Sequence, residues 1–83
     1  MTPEDLRLLV KRRPFKPFRI AMSTTETFDV WHPDLLIVGR SIAALGLGKA
    51  GEEPIADGII WLDLDQIVHI QPAPTPGTSA TTQ

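Results

Sequence analysis

The chain has 83 residues, of which 42% are hydrophobic and 22% are charged, and it contains no cysteine. This length predicts one domain with one core, and the apolar share is sufficient for a globular fold. The lack of cysteine excludes disulfides, thiolate metal sites and thiol catalysis. Unbroken apolar runs such as residues 35–38 are far shorter than the roughly 20 residues of a membrane span. Glu4 and Asp5 stand where a secretory signal has basic residues, so we expect a soluble, cytoplasmic protein that does not bind membranes.

The net charge of -2 is unevenly distributed along the chain. Residues 1–19 contain six basic and two acidic side chains, a balance of +4, whereas residues 20–83 contain two basic and eight acidic ones, a balance of -6. Such a split can form a basic surface for nucleic acid or a self-complementary surface for assembly. It is also typical of the solvent-exposed end of a helix.

Residues 2–12 have the pattern of a short helix. Thr2 is a good N-cap residue, and Pro3 suits the first helical position. An apolar stripe follows at helical spacing, and Pro14 disfavours helical backbone in the residue before it. The stripe consists of Leu6, Leu9 and Val10. We therefore expect the helix to end at about residue 12.

After Phe15 the spacing of apolar residues changes from about 3.6 to about 2, which is typical of half-buried strands. Residues 23–26 are polar and predict a hairpin turn, although the turn lacks a glycine. The remaining strand candidates are residues 27–32, 35–38, 41–47, 59–64 and 67–70, with a tight helical turn at 63–66. Residues 48–58 predict a loop, and the proline-, threonine- and serine-rich residues 73–83 predict a disordered tail.

One helix followed by about five short strands predicts a mainly β domain over residues 1–72. A sheet this small must curl in order to bury its apolar face. We therefore expect a small five-stranded barrel or a strongly bent antiparallel sheet, capped by the N-terminal helix. The predicted core consists of Leu6, Leu9, Val10, Phe18, Ile20, Phe28, Val30, Leu45, Ile60, Leu62 and Ile70.

Three strand segments, residues 35–38, 42–47 and 59–62, are apolar on both faces, whereas a one-sided sheet needs only one apolar face. The second face needs cover from the helix or from a partner, and association across an exposed edge strand provides such cover. We therefore predict a homo-oligomer that also binds a further protein partner. A large aromatic ring on an otherwise polar strand face often marks an interface, and Trp31 is such a ring. The predicted interface residues are Trp31, Trp61, Leu36 and Ile42.

Residues 11–19 interleave basic side chains with phenylalanines, a combination that can contact phosphates and stack on bases. This combination predicts RNA or single-stranded nucleic-acid binding as the alternative function. If Phe15 and Phe18 are instead buried in the core, only the positive charge remains for such binding. Its predicted contacts are Arg12, Arg13, Lys16 and Arg19.

No set of residues for catalysis, a cofactor or a metal is apparent in the sequence. Residues 46–51 match the glycine spacing of dinucleotide-binding loops, but an acidic, proline-containing segment follows instead of a helix. Asp63 and Asp65, which precede His69, are typical of backbone capping in a turn. We therefore expect a protein that is not an enzyme and binds no cofactor or metal.

Residues 13–20 read RPFKPFRI, and FDVWHP at 28–33, VGR at 38–40 and DLDQIVHI at 63–70 follow. In these segments the chain resembles a family of short bacterial proteins with an RPFxPFRI opening, an FxVxHP second strand and a DLxxIxxI-like closing segment. The resemblance covers residues 3–71, implies no particular activity, and departs at residues 23–26, where the family has an Asp-Gly turn. In element order the chain also resembles Sm-like and Src-homology-3-like barrels. The likeness to Sm-like proteins implies rings that bind single-stranded RNA.

Overall fold

The computed structural model describes residues 1–48 and 55–73. Its elements are helix α1 (Pro3–Lys11) and strands β1 (Phe18–Met22), β2 (Thr27–Val30), β3 (Leu36–Val38), β4 (Ile42–Leu47), β5 (Gly58–Asp63) and β6 (Ile67–Pro72). One 3₁₀ turn (Pro33–Leu35) precedes β3, and a second (Leu64–Gln66) precedes β6, as the sequence predicts for residues 63–66. Most of the predicted loop at 48–58, and the predicted tail after residue 73, lie outside the described residues.

Helix α1 forms where the sequence predicts it. The Thr2 hydroxyl oxygen accepts a hydrogen bond from the Asp5 N–H at 3.2 Å and so caps the first turn. Leu6 is fully buried, whereas Leu8, two positions further along the helix, is 68% exposed. The helix therefore attaches to the sheets along the narrow apolar stripe that its sequence contains.

The six strands form two antiparallel three-stranded sheets with the orders β2-β1-β6 and β3-β4-β5. This arrangement confirms a mainly β fold with one N-terminal helix and corrects the expectation of a five-stranded barrel. In the described part of the chain no ladder joins β2 to β3 or β5 to β6, so no closed barrel forms. The physical reason lies in the 3₁₀ turns, which redirect the chain from one sheet into the other at both crossings.

Two backbone hydrogen bonds connect the sheets through the second 3₁₀ turn. The Leu64 N–H donates to the Ser41 carbonyl at 3.0 Å, and the Ser23 N–H donates to the Gln66 carbonyl at 2.7 Å. The apolar inner faces and α1 enclose one core, in which every predicted core residue is buried or packs against the buried cluster. The core also contains residues that the prediction omitted: Met22, Leu36, Ala43, Leu64 and Ile67.

The β1–β2 turn places a β-branched residue in left-handed backbone. Thr25 has a φ of 73°, and its N–H donates to the Met22 carbonyl at 3.0 Å. Threonine is strained there because its Cβ crowds the backbone, whereas glycine adopts this region freely.

Thr25→Gly is therefore expected to stabilise the domain by up to about 1 kcal/mol, because the relief of roughly 1–2 kcal/mol of strain exceeds the roughly 0.5–1 kcal/mol entropy cost of glycine, and Tm rises by up to about 8 °C. The matched control is Thr24→Gly, which relieves no positive φ and is expected to lower Tm, since glycine increases the entropy of the unfolded chain. Thermal unfolding followed by circular dichroism measures both. A lower Tm for both variants would contradict a left-handed backbone conformation at Thr25.

Candidate functional site

The outer face of sheet β3-β4-β5 carries large apolar side chains. Ile37 of β3 lies opposite Ala44 of β4, which lies opposite Trp61 of β5. Because side chains alternate between the faces of a strand, Ile42 shares the face of Ala44, and Ile59 shares the face of Trp61. The register thus collects these residues on one surface.

Four of these side chains, Ile37, Ile42, Ile59 and Trp61, define what we call the isoleucine–tryptophan face. Their exposed fractions are 70%, 46%, 66% and 70%. Together they expose on the order of 500 Å² of apolar surface, which is the size of the largest patch on a typical monomer and is often functional. This face is the strongest candidate for a functional surface in the described part of the chain.

A trough of 210 Å³ runs along β4 within this face. Ala44 and Gly46 form its floor because their side chains are small, and Asp34 and Ala56 contribute to its lining. A Cβ on Gly46 would lie 2.9 Å from the Cβ of Ala56 and 3.0 Å from a methyl group of Leu35. Glycine at this position therefore lets the segment before β5 pack against the end of β4.

The predicted interface residues do not all lie on this face. Trp61 and Ile42 do, whereas Leu36 is only 5% exposed and packs in the core. The correction follows from strand alternation, since Leu36 faces inward and its neighbour Ile37 faces outward. Trp31 is half-buried and follows β2, a strand of the other sheet, so the structure does not bring it into the isoleucine–tryptophan face.

Sequence reasoning omitted two members of the face from the predicted interface, Ile37 and Ile59. A signal for Ile59 was present, because it stands two positions before Trp61 on the same strand and so shares its face. The signal for Ile37 was weaker. Residues 35–38 are all apolar, and their inward or outward orientation depends on pairing with β4.

Among the predicted nucleic-acid contacts, Arg19 is already paired. Its Nε and Nη2 donate to the Oδ1 and Oδ2 atoms of Asp29, the residue opposite it on β2, at 2.7 and 3.1 Å. The side-chain hydrogen bond to Asp29 raises the pKa of Arg19 above its usual value. This bidentate pair uses two of the five guanidinium N–H donors and places a negative charge beside them, which weakens the attraction of Arg19 for a phosphate.

Arg13 is also engaged within the chain, because its Nη1 donates to the carbonyls of Val10 and Arg12 at 2.9 Å each. The other two cations, Arg12 and Lys16, are exposed and line a groove of 320 Å³. The groove also contains Leu9, Pro17, Phe18, Ile70, Gln71 and Pro72.

Neither phenylalanine near this groove offers a free ring for base stacking. Phe18 is only 2% exposed, and the half-buried Phe15 packs against it with ring centroids 6.0 Å apart. The structure therefore brings together two cations, Arg12 and Lys16, without the aromatic platform that single-stranded binding sites use.

The acidic residues near β6 belong to the second 3₁₀ turn, where a carboxylate accepts a backbone hydrogen bond. An Asp63 carboxylate oxygen accepts a hydrogen bond from the Asp65 N–H at 3.0 Å and caps the second 3₁₀ turn. Within residues 1–48 and 55–73, no three histidine, cysteine or acidic side chains converge as a metal site would require. No helix in those ranges is long and apolar enough to cross a membrane.

No protein-family model matches the sequence, and neither a curated protein nor a solved structure matches it. The resemblances to the RPFxPFRI proteins and to the Sm-like barrels therefore stay predictions.

Proposed function

We propose that this chain is a small, non-enzymatic assembly module, which self-associates through sheet β3-β4-β5 and binds a protein partner on its isoleucine–tryptophan face. One observation carries the proposal: four large apolar side chains are exposed side by side on one sheet. The largest apolar patch of a soluble protein is often functional, and interface centres combine tryptophan with few charges.

The chemistry around the face indicates the kind of partner. Acidic residues border it, because Asp34 lines the trough, Asp57 precedes β5 and Asp63 ends that strand. An apolar centre with an acidic rim is complementary to an aliphatic or aromatic anchor flanked by lysine or arginine. The trough between Ile37 and Ile59 provides the concave site for such an anchor.

The proposal predicts that Ile59→Ser raises the dissociation constant for self-association by up to about fivefold, because it removes an apolar side chain from the outer strand of the associating sheet. Leu8→Ser is the matched control. Leu8 is 68% exposed, against 66% for Ile59, but it lies on α1 and is not part of the face. Sedimentation equilibrium over a range of concentrations measures both variants. Equal effects of the two substitutions would show that the face has no special role.

Nucleic-acid binding through Arg12, Arg13, Lys16 and Arg19 stays a prediction. Its support is weaker than that of assembly, because Arg19 is paired with Asp29 and both phenylalanines belong to the core or its border. The groove beside Arg12 and Lys16 is the surface on which such binding would depend. The expected cytoplasmic location likewise stays a prediction.

A further inference from the structure

The two sheets have four outer strands, and three of them carry features that discourage pairing with another chain. β2 has four residues and contains the charged Asp29, β3 has only three residues, and β6 ends in Pro72. Short strands, charges and proline are common protections of sheet edges. β5 has six residues, Gly58–Asp63, with an apolar centre, a single charge at its end and neither lysine nor proline. It is the least protected edge among the described strands.

The hydrogen bonds around β4 show which backbone groups of β5 face this edge. The Gly39 N–H donates to the Ile42 carbonyl at 2.8 Å, so the backbone of Ile42 faces β3. The Leu64 N–H donates to the Ser41 carbonyl at 3.0 Å, so the alternating residues Leu62 and Ile60 direct their backbone groups towards β4. The residues whose N–H and C=O groups point to the free edge are therefore Ile59, Trp61 and Asp63.

We propose that β5 pairs antiparallel with β5 of a second copy, with Trp61 opposite Trp61 of that copy. The inference rests on the proposed self-association and specifies its geometry. A two-fold axis makes such a pairing antiparallel and self-complementary. Trp61 is the middle one of the three outward-facing residues, so this register uses the edge groups of all three.

Charge also favours this register. It places each Asp63 opposite an Ile59, which puts the two Asp63 carboxylates at opposite ends of the junction. Sliding the strands by four residues towards Asp63 would place the two Asp63 side chains directly opposite each other, and like charges in that position are destabilising. The aromatic pair at the centre adds a favourable cross-strand contact.

The pairing would create a continuous six-stranded sheet whose two isoleucine–tryptophan faces lie side by side. The joined apolar face is larger than a single one, although the two Trp61 rings cover part of each other. Edge pairing therefore enlarges the apolar surface that a protein partner can cover.

Amide hydrogen exchange on the native chain tests the pairing directly. At concentrations well above the dissociation constant, the amides of Ile59 and Trp61 are expected to exchange at least about tenfold more slowly than at concentrations well below it. The Val38 amide is the matched control, since alternation directs it to the outer edge of β3. Slower exchange of the Val38 amide as well would indicate head-to-tail pairing of β5 with β3 of the next copy and would overturn the two-fold arrangement.

A distance measurement separates edge pairing from stacking of the two faces. Because the chain has no cysteine, Ile37→Cys accepts a single spin label, and Ile37 lies in the same cross-strand row as Trp61. Edge pairing places the two Ile37 Cα atoms five strand spacings apart, about 24 Å. Stacked faces lie about 10 Å apart, so a short distance, or loss of the dimer on labelling, would overturn the pairing. A native chain that stays monomeric would instead contradict self-association itself.

Discussion

Replacing Trp61 by threonine is expected to raise the dissociation constant for self-association about fivefold or more, while the chain stays folded. The tryptophan ring is 70% exposed and stands in the middle of the exposed edge strand β5. In the proposed pairing its ring contacts the Trp61 ring of the second copy, and such an aromatic pair contributes about 0.5–1.5 kcal/mol beyond its buried area. Threonine keeps a high strand propensity, so the change acts on the surface rather than on the sheet.

Val68→Thr provides the control for this prediction. Val68 is 58% exposed and lies on β6 in the other sheet, so its substitution is expected to leave the dissociation constant unchanged. Sedimentation equilibrium measures both variants, and urea unfolding confirms that each one folds. An unchanged dissociation constant for Trp61→Thr would remove Trp61 from the interface.

The second large effect concerns the attachment of the helix. Leu6→Ala is expected to destabilise the domain by about 2–5 kcal/mol, because it removes a fully buried side chain and leaves a cavity. Domains of this size have a total stability of roughly 4–12 kcal/mol, so the variant loses a large part of it. The corresponding fall in Tm is at least about 10 °C.

Leu8→Ala is the matched control on the same helix. Its side chain is largely exposed, so the change is expected to alter the free energy of unfolding by less than about 0.5 kcal/mol. Urea unfolding of both variants measures the difference. Similar losses for Leu6→Ala and Leu8→Ala would mean that α1 does not pack on the sheets through Leu6.

Local chemistry made some elements predictable from the sequence. Helix α1 is defined by the cap at Thr2 and ends before Pro14, and the second 3₁₀ turn is defined by Asp63 as its cap. These signals act within three or four residues of chain, so they need no knowledge of the tertiary fold. The alternation around Phe18 and Ile20 likewise identified β1 and its buried face.

The features that the sequence left open depend on pairing between distant residues. In residues 35–38 every position is apolar, so only the register with β4 decides that Leu36 faces the core and Ile37 faces outward. Barrel closure depends on whether distant strand edges meet, which no local pattern encodes. The Arg19–Asp29 pair could have been predicted from the sequence, because the two residues are almost equidistant from the β1–β2 turn.

The mass of the native chain in solution tests the central claim most directly. Size-exclusion chromatography with light scattering, run over a range of concentrations with absorbance at 260 and 280 nm, is the appropriate measurement. Self-association predicts a mass that rises with concentration to twice that of a single chain, with an absorbance ratio typical of protein. A single-chain mass at every concentration would contradict it, and a salt-sensitive excess at 260 nm would favour nucleic-acid binding at Arg12 and Lys16 instead.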